Sequence, residues 1–393
     1  MFLRLGSSDR LAAISESSGI LTTSANPCGQ IRRGNRPLLH GLWSLEVDIP
    51  DRSKNIVAAS NRPTNSKCIY QCRCIVLFLG LALWGCSGQQ SALEPSGEEA
   101  ASVAQLFWAM VGGGAVIWIG LMALLATAIR GKLGPIDNRA ATQLVFWGGA
   151  VLPSAALVGL LGYALWLMPG LRPFANSGAP QVIIEVTGRQ FWWDVIYRLP
   201  DGVQFRTANE IVLPVGQRVE FSLKSTDVIH SFWIPSLAGK VDMIPGRTNR
   251  LSLVATKEGR FRGPCAEYCG TSHAFMAVEV TSLPVQEFAL WTERRRQPSP
   301  GILAPGSELF EKHGCGSCHR VEGTSAASRV GPDLSHLGSR NTLGAGILPN
   351  TPETISSFIV RPDAIKPGTH MPAFDMLPPD DIRSIAVWLK GLE

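Results

Sequence analysis

The sequence predicts a multidomain membrane protein: a two-helix transmembrane hairpin, then an all-β Greek-key unit, then a small all-α unit. Three observations carry this. Residues 100–129 and 140–171 contain no Asp, Glu, Lys or Arg. Residues 180–290 are short runs rich in Val, Ile, Phe and Trp, broken by Gly, Pro, Asn and Asp. Residues 304–393 show helical patterning at both ends. The composition agrees, since only 17% of the 393 residues are charged, against a usual share of about 25%.

Residues 1–85 read as a leader. Residues 1–66 show no sustained periodicity. Then come the basic Lys67 and Arg73, the apolar run Ile75–Trp84, and Gly85-Cys86-Ser87-Gly88. Basic, apolar, then small is the layout of a secretory signal. Leu83-Trp84-Gly85-Cys86 is similar to a bacterial lipoprotein box, which would lipidate Cys86, although Trp84 stands where a small residue is usual. The other reading is an ordinary signal cut nearby. Translation is expected to start later than Met1. Cys28, Cys68, Cys72 and Cys74 would then be absent from the mature chain.

The formal net charge is +5. Residues 1–85 supply all of it, with 10 Lys/Arg against 5 Asp/Glu; the remaining 26 of each sign cancel. No basic surface is left for nucleic acid, so that class is excluded.

Residues 86–170 hold the hairpin. Spans are expected near 104–129 and 144–168, each longer than the ~20 residues that cross a bilayer as a helix. Arg130, Lys132 and Arg139 lie in the loop between them. By the positive-inside rule the loop is cytoplasmic and both ends are outside. The β unit covers 171–292. Its expected strands are Gln181–Thr187, Gln190–Tyr197, Ile211–Val215, Arg218–Lys224, Arg250–Thr256 and Ala277–Ser282, whose even spacing suggests a sandwich or barrel. Residues 293–303 are a polar, Pro-containing linker. In the α unit, 304–393, helices are expected near Gly306–His313 and Pro379–Leu392. Ile382, Ile385, Trp388 and Leu389 form the apolar face of the second, and Phe310 and Trp388 should pack the two together.

Nine cysteines, unevenly clustered, do not make a disulfide framework. Cys315-Gly-Ser-Cys318-His319 reads as c-type haem attachment: two thiols bond the porphyrin and the adjacent imidazole reaches the iron. A thioredoxin-like dithiol is the alternative, but it requires no His after the second Cys. The sixth ligand should lie downstream, with Met371 preferred over Met376 and His370. Gly331-Pro332-Asp333-Leu334 resembles the loop whose proline carbonyl accepts the other N–H of the iron-binding imidazole, which would orient His319. In the β unit, Cys265-Ala-Glu267-Tyr-Cys269-Gly-Thr-Ser-His273-Ala-Phe-Met276 lies on a loop, with His230 on a separate strand. Two thiols, two imidazoles and a thioether suit copper. One Cys with two His would make a mononuclear site, whereas two bridging Cys would share one electron over two metals. A structural zinc site is the alternative.

At this point residues 86–393 resemble subunit II of haem-copper cytochrome oxidases, in the caa-type form with a fused C-terminal cytochrome c. The resemblance rests on the hairpin, Gln190-Phe-Trp-Trp193, the His230 segment, Lys240-Val-Asp-Met-Ile-Pro-Gly-Arg247, the Cys265–Met276 loop and the haem motif. It implies a cupredoxin-like β domain and a class I cytochrome c domain. It implies a dinuclear CuA centre held by His230, Cys265, Cys269, His273, Met276 and the Glu267 carbonyl. The Glu267 carboxylate would face a magnesium site shared with subunit I. Haem c would be bonded to Cys315 and Cys318, with His319 and Met371 as axial ligands.

The function implied is electron input. A cytochrome c donor reduces the haem, the copper pair follows, and subunit I reduces dioxygen to water with proton pumping. The partners implied are subunit I, subunit III, the donor and the lipid bilayer of a bacterial plasma membrane, with both cofactor domains on the periplasmic side. Two positions depart from the family. Phe191 stands where a Trp usually receives electrons, leaving Trp192 and Trp193 as path candidates. The second span also lacks the usual Glu at its cytoplasmic end, with Asp137 the nearest stand-in. Two other readings stay open: the input subunit of a CuA-containing nitric oxide reductase, and a non-redox scaffold with structural zinc.

Overall fold

Two apolar helices come first among the described residues. The computed structural model describes residues 88–131, 134, 136–171, 182–302 and 304–393. The leader with Cys86, and Lys132 in the hairpin loop, lie outside them. Helix α1 spans Glu98–Ile129 and α2 spans Asn138–Leu167, each long and apolar enough to cross a membrane. Their apolar stretches bury nothing against protein, so Trp118, Ile119, Leu161 and Trp166 stand exposed on all sides. That pattern suits hydrocarbon and is costly in water. Both helices start six residues before the predicted spans, because hydropathy sees only the lipid-length core and misses a polar first turn. In α1 that turn holds Glu98 and Glu99, where carboxylates favour the helix N-terminus. Asp137 accepts the Ala140 N–H at 2.7 Å and so caps α2.

Arg218 joins α1 to the β unit, pairing with Glu98 at 3.0 Å and Glu99 at 2.7 Å. Glu99 also accepts the Val254 N–H at 3.0 Å.

The β unit has strands β1 (Val182–Arg189), β2 (Trp192–Arg198), β3 (Gln204–Ala208), β4 (Glu210–Pro214), β5 (Arg218–Ser225), β6 (His230–Phe232), β7 (Val241–Met243), β8 (Asn249–Val254), β9 (Gly259–Pro264) and β10 (Ala277–Leu283). One sheet has the order β3-β2-β1-β5-β8 and a second the order β4-β10-β9, with β6-β7 as a separate ladder. β1 pairs β5 in parallel, and β10 pairs β4 in parallel; the other pairings are antiparallel. The buried core draws on both sheets, with Ile184, Trp193, Tyr197 and Phe221 from one and Ile211, Leu213 and Val280 from the other. Along β1 every second residue is buried. β6 is the separate strand expected for His230, whereas β3, β7 and β9 were not predicted. β6 and β7 are only three residues each. β9 reads Gly-Arg-Phe-Arg-Gly-Pro and buries only Phe261 and Gly263. Gly263 is required there: a Cβ would lie 2.5 Å from the Trp233 carbonyl oxygen.

Helix α3 (Val285–Arg295) follows β10. Its Trp291 packs on Tyr197 and Phe205, at 5.2 and 5.4 Å between centroids. The helix takes in residues 293–295 of the predicted linker. Beyond it, buried Ser299 donates to the Ser335 carbonyl. The connection is therefore held in place over part of its length.

The C-terminal unit contains α4 (Pro305–Lys312), α5 (Pro352–Val360), α6 (Pro362–Ile365) and α7 (Pro379–Lys390). Phe310 and Trp388 meet at 5.2 Å between centroids, in a core with Ile355, Ile382, Ile385 and Leu389. Gly306 lets α4 approach α7, because a Cβ there would collide with Trp388 and the Ser384 carbonyl.

Candidate functional site

The first site is the loop between β9 and β10. Pairing of Pro264 with Ala277 brings the loop ends together, and the Cys265 N–H donates to the Met276 carbonyl at 2.8 Å. The donor atoms converge inside. Cys265 Sγ lies 3.9 Å from Cys269 Sγ and 3.3 Å from the Glu267 carbonyl oxygen. Cys269 Sγ lies 3.6 Å from His273 Nδ1 and 3.9 Å from Met276 Sδ. His230 comes from β6, drawn in by a backbone bond from Ala266 N–H to the Ser231 carbonyl at 3.0 Å. Its Nδ1 lies 3.9 Å from Cys265 Sγ. Ligand atoms of His230, Cys265 and Cys269 all lie within 4.8 Å of one another, and all three residues are buried. Clustered thiols, imidazole nitrogens and a thioether, shut away from water, fit a soft redox metal such as copper. The Glu267 carboxylate lies on the exposed side, 3.9 Å from Lys240 Nζ.

The neighbours of His230 fix its ring. Asp227 Oδ1 accepts the Nε2–H at 2.7 Å, which leaves the Nδ1 lone pair for a metal. Asp227 is itself held by the Gln190 and Val228 N–H groups, each at 2.7 Å. Although burial opposes it, these bonds keep its carboxyl below the usual range. Trp193 packs edge-on against the His230 ring at 6.1 Å. Gly188 leaves the space, since a Cβ there would come within 2.7 Å of that ring. Burial resists a charge on His230, but the bonds to Asp227 and Cys265 outweigh it and lift the group to about 9. The hydrogen bond from Cys269, against burial and with help from His230, takes Cys265 down to about 3. The same bond, reinforced by burial, pushes Cys269 up.

The second site is a cavity of about 250 Å³ in the C-terminal unit, with Cys315, Cys318, His319, Met371 and His370 in its wall. His319 Nδ1 lies 2.9 Å from the Pro332 carbonyl oxygen. The carbonyl can only accept, so Nδ1 carries the proton and Nε2 keeps its lone pair. Burial, only partly opposed by that bond, holds His319 below its ordinary value and therefore neutral. Gly331 cradles the ring, for a Cβ would lie 2.7 Å from it. A neutral imidazole, two thiols and a thioether around one largely apolar cavity fit a covalently attached haem. Met376 is 72% exposed and away from the cavity wall, whereas Met371 and His370 both line it.

The two path candidates separate. Trp193 is 0% exposed, in the core. Trp192 lies under the Arg189 guanidinium, 5.6 Å from its ring, and lines the haem-type cavity, as does Phe191. Sequence reasoning assigned no role to Asp227, Gly188, Gln190 or Ser272. The Asp-x-x-His spacing of Asp227 and His230 is the one signal that pointed to any of them. Gln190 Nε2 donates to the Cys269 carbonyl at 2.6 Å, a contact no spacing reveals.

Comparison with known proteins agrees with these two sites. Residues 199–283 match the family of the cytochrome c oxidase subunit II periplasmic domain, and residues 303–393 match the cytochrome c family. Cytochrome c oxidase subunit 2 of Alkalihalophilus pseudofirmus is 33% identical over 339 residues, covering 80% of this chain and 95% of that protein. The Bacillus subtilis protein of the same description is 34% identical over 226 residues, covering 54% of this chain and 62% of its own length. The crystal structure of the periplasmic domain of subunit II of cytochrome oxidase from Bradyrhizobium japonicum is 34% identical. It covers 30% of this chain and 95% of that domain, with a TM-score of 0.28. Membership of the family brings with it copper in the β domain and haem in the C-terminal domain, within a haem-copper oxidoreductase complex. With both sites in one membrane-anchored chain, and a relative matched over nearly its whole length, the chain belongs to the cytochrome c oxidase subunit 2 family, in the form that carries a C-terminal cytochrome c domain.

Proposed function

We propose that this chain receives electrons from a cytochrome c donor at its C-terminal domain and passes them, through the β domain, to subunit I of a respiratory oxidase. Subunit I reduces dioxygen to water and pumps protons; subunit III completes the assembly, in a bacterial plasma membrane with both soluble domains on the periplasmic side. One observation carries the reading. The Ser272 hydroxyl, on the metal-site loop, donates to the Pro367 carbonyl at 2.6 Å, and Pro367 adjoins Lys366 in the wall of the haem-type cavity. The two sites thus share a hydrogen-bonded contact within one chain.

In this reading His230, Cys265, Cys269, His273 and Met276 hold a CuA pair, with the Glu267 carbonyl as a further ligand. The Glu267 carboxylate turns to a magnesium shared with subunit I. Cys315 and Cys318 attach haem c, and His319 and Met371 take its iron. When bound, these groups supply one-electron exchange. The chain's own residues limit the rearrangement that accompanies it. Asp227 and Pro332 lock the two imidazoles in one tautomer, and the β9–β10 pairing holds the sulfurs still. Phe191 stands between Gly270 of the metal-site loop and Gly368, Trp192 lines the haem-type cavity, and Trp193 backs His230.

The test is purification of the complex through a tag on Glu393. Copper, covalent haem, a near-infrared copper band and dioxygen uptake with reduced cytochrome c are expected together. Zinc in place of copper would support a structural scaffold, and nitric oxide consumption without dioxygen uptake would move the chain to a reductase. A haem that does not discharge into the copper centre would overturn electron input.

A further inference from the structure

Among the described residues, one lysine in the cavity wall has no carboxylate to pair with. Lys366 is 3% exposed and lines the same cavity as Cys315, His319 and Met371. An ammonium carries three N–H donors. Among the described residues, its one side-chain hydrogen bond goes to the Gly344 carbonyl, at 2.6 Å, and none of the ion pairs includes it. A buried charge of this kind is costly unless it is paired. The other cation in the wall, Arg340, differs. It donates to the Asp333 carbonyl at 2.6 Å and lies 3.9 Å from Glu210.

The position of Lys366 is specific. It begins the segment that touches the metal-site loop, where the Pro367 carbonyl accepts the Ser272 hydroxyl. At Gly368 a Cβ would meet Phe191 and Thr271, each at 3.6 Å. The carbonyl of Gly344, which Lys366 holds, lies next to Ala345, whose carbonyl accepts the Ala277 N–H at 3.0 Å. Lys366 therefore ties together two of the loops through which the C-terminal domain meets the β domain. A haem brings two carboxylates into a cavity that is otherwise mainly apolar.

We propose that Lys366 is a positioning residue for the haem, its ammonium pairing with one haem carboxylate and fixing that edge at the face of the domain that presses on the metal-site loop. This rests on the reading of the cavity as a haem c site.

The test uses the intact membrane complex with Lys366→Met, Lys366→Gln and Lys366→Arg. Covalent haem is measured first, as the pyridine haemochrome. Wild-type complex without it overturns the functional reading and this inference together. With haem present, Lys366→Met should shift the haem carboxylate bands in the redox-difference infrared spectrum. It should also disfavour haem reduction about tenfold, ~59 mV for one electron, because a positive charge that opposes the oxidised iron is gone. Lys366→Gln, which keeps a donor for the Gly344 carbonyl, should shift in the same way, and Lys366→Arg should restore both signals. If Lys366→Gln matches wild type in bands and potential, the lysine is a structural donor only and the inference falls. It falls equally if Lys366→Met leaves both signals unchanged.

Discussion

Asp227 Oδ1 and His230 Nε2 lie 2.7 Å apart, and this bond decides which imidazole nitrogen faces the sulfurs. The carboxylate accepts, so Nε2 holds the proton and Nδ1 turns to Cys265. Asp227 makes no hydrogen bond to a sulfur; it bears on the cluster through the ring it orients and through its charge, which helps push Cys269 up.

Removing that carboxylate should therefore weaken the metal without removing a ligand. For Asp227→Ala, copper affinity should fall about 10–100-fold, the usual cost of losing a partner that orients a ligand. Competition with a copper chelator measures it. Retention equal to wild type would show that packing by Trp193 and Gly188 alone sets the ring.

Copper loading should release protons and strengthen with rising pH. With a value lifted to about 9, His230 is protonated at neutral pH until a metal takes Nδ1. Cys269 is pushed up and enters as a thiol, whereas Cys265, pulled down by its bond with Cys269, carries the thiolate. Each proton on a ligand competes with the metal. Affinity should thus climb as pH rises toward 9 and flatten for the His230 contribution above it. Calorimetric titration in two buffers of different ionisation enthalpy counts the protons; a count of zero would contradict the paired-proton picture.

The two downstream methionines should separate cleanly. Met371→Ala should lower the haem potential and open the iron to added cyanide, because a thioether axial ligand raises the potential. Met376→Ala should change neither, since that side chain is 72% exposed. Redox titration of both variants checks this, and the reverse pattern would reassign the sixth ligand.

Much of this was legible because its signals are local. A Val- and Ile-rich run marked β1, uncharged runs marked α1 and α2, and the spacing of Cys315, Cys318 and His319 needs no tertiary context. What stayed hidden depends on pairs distant in sequence. Gly188 reads as an ordinary strand residue until His230 is seen 2.7 Å from its missing Cβ. Glu98 and Glu99 read as a polar segment ahead of a span until Arg218 is found beside them. Residues 293–303 read as a free linker from composition. Composition does not reveal that α3 runs to Arg295 for the sake of Trp291 packing, or that Ser299 finds the Ser335 carbonyl.

That held connection also sharpens the consequence of the fusion. The domains meet through Phe191 packed at Gly368, the Arg340–Glu210 pair at 3.9 Å and a few hydrogen bonds: Ser272 to Pro367, Ala277 to Ala345, Thr342 to Glu279 at 2.9 Å and Arg262 to Gly346 at 3.3 Å. Each hydrogen bond is worth only about 0.5–1.5 kcal/mol net, so the contact should be weak between separate chains. A tether raises the local concentration of the partner to the order of mM. A protease site placed after Gly301, which is exposed and lies beyond the Ser299 anchor, would sever the tether and leave both domains intact. After cleavage and washing, dioxygen uptake driven by the cytochrome c donor should fall sharply. It should return saturably as the released haem domain is added back. Uptake that survives complete removal of the domain would mean that donors reach the β domain directly, and that the fusion serves something other than electron delivery.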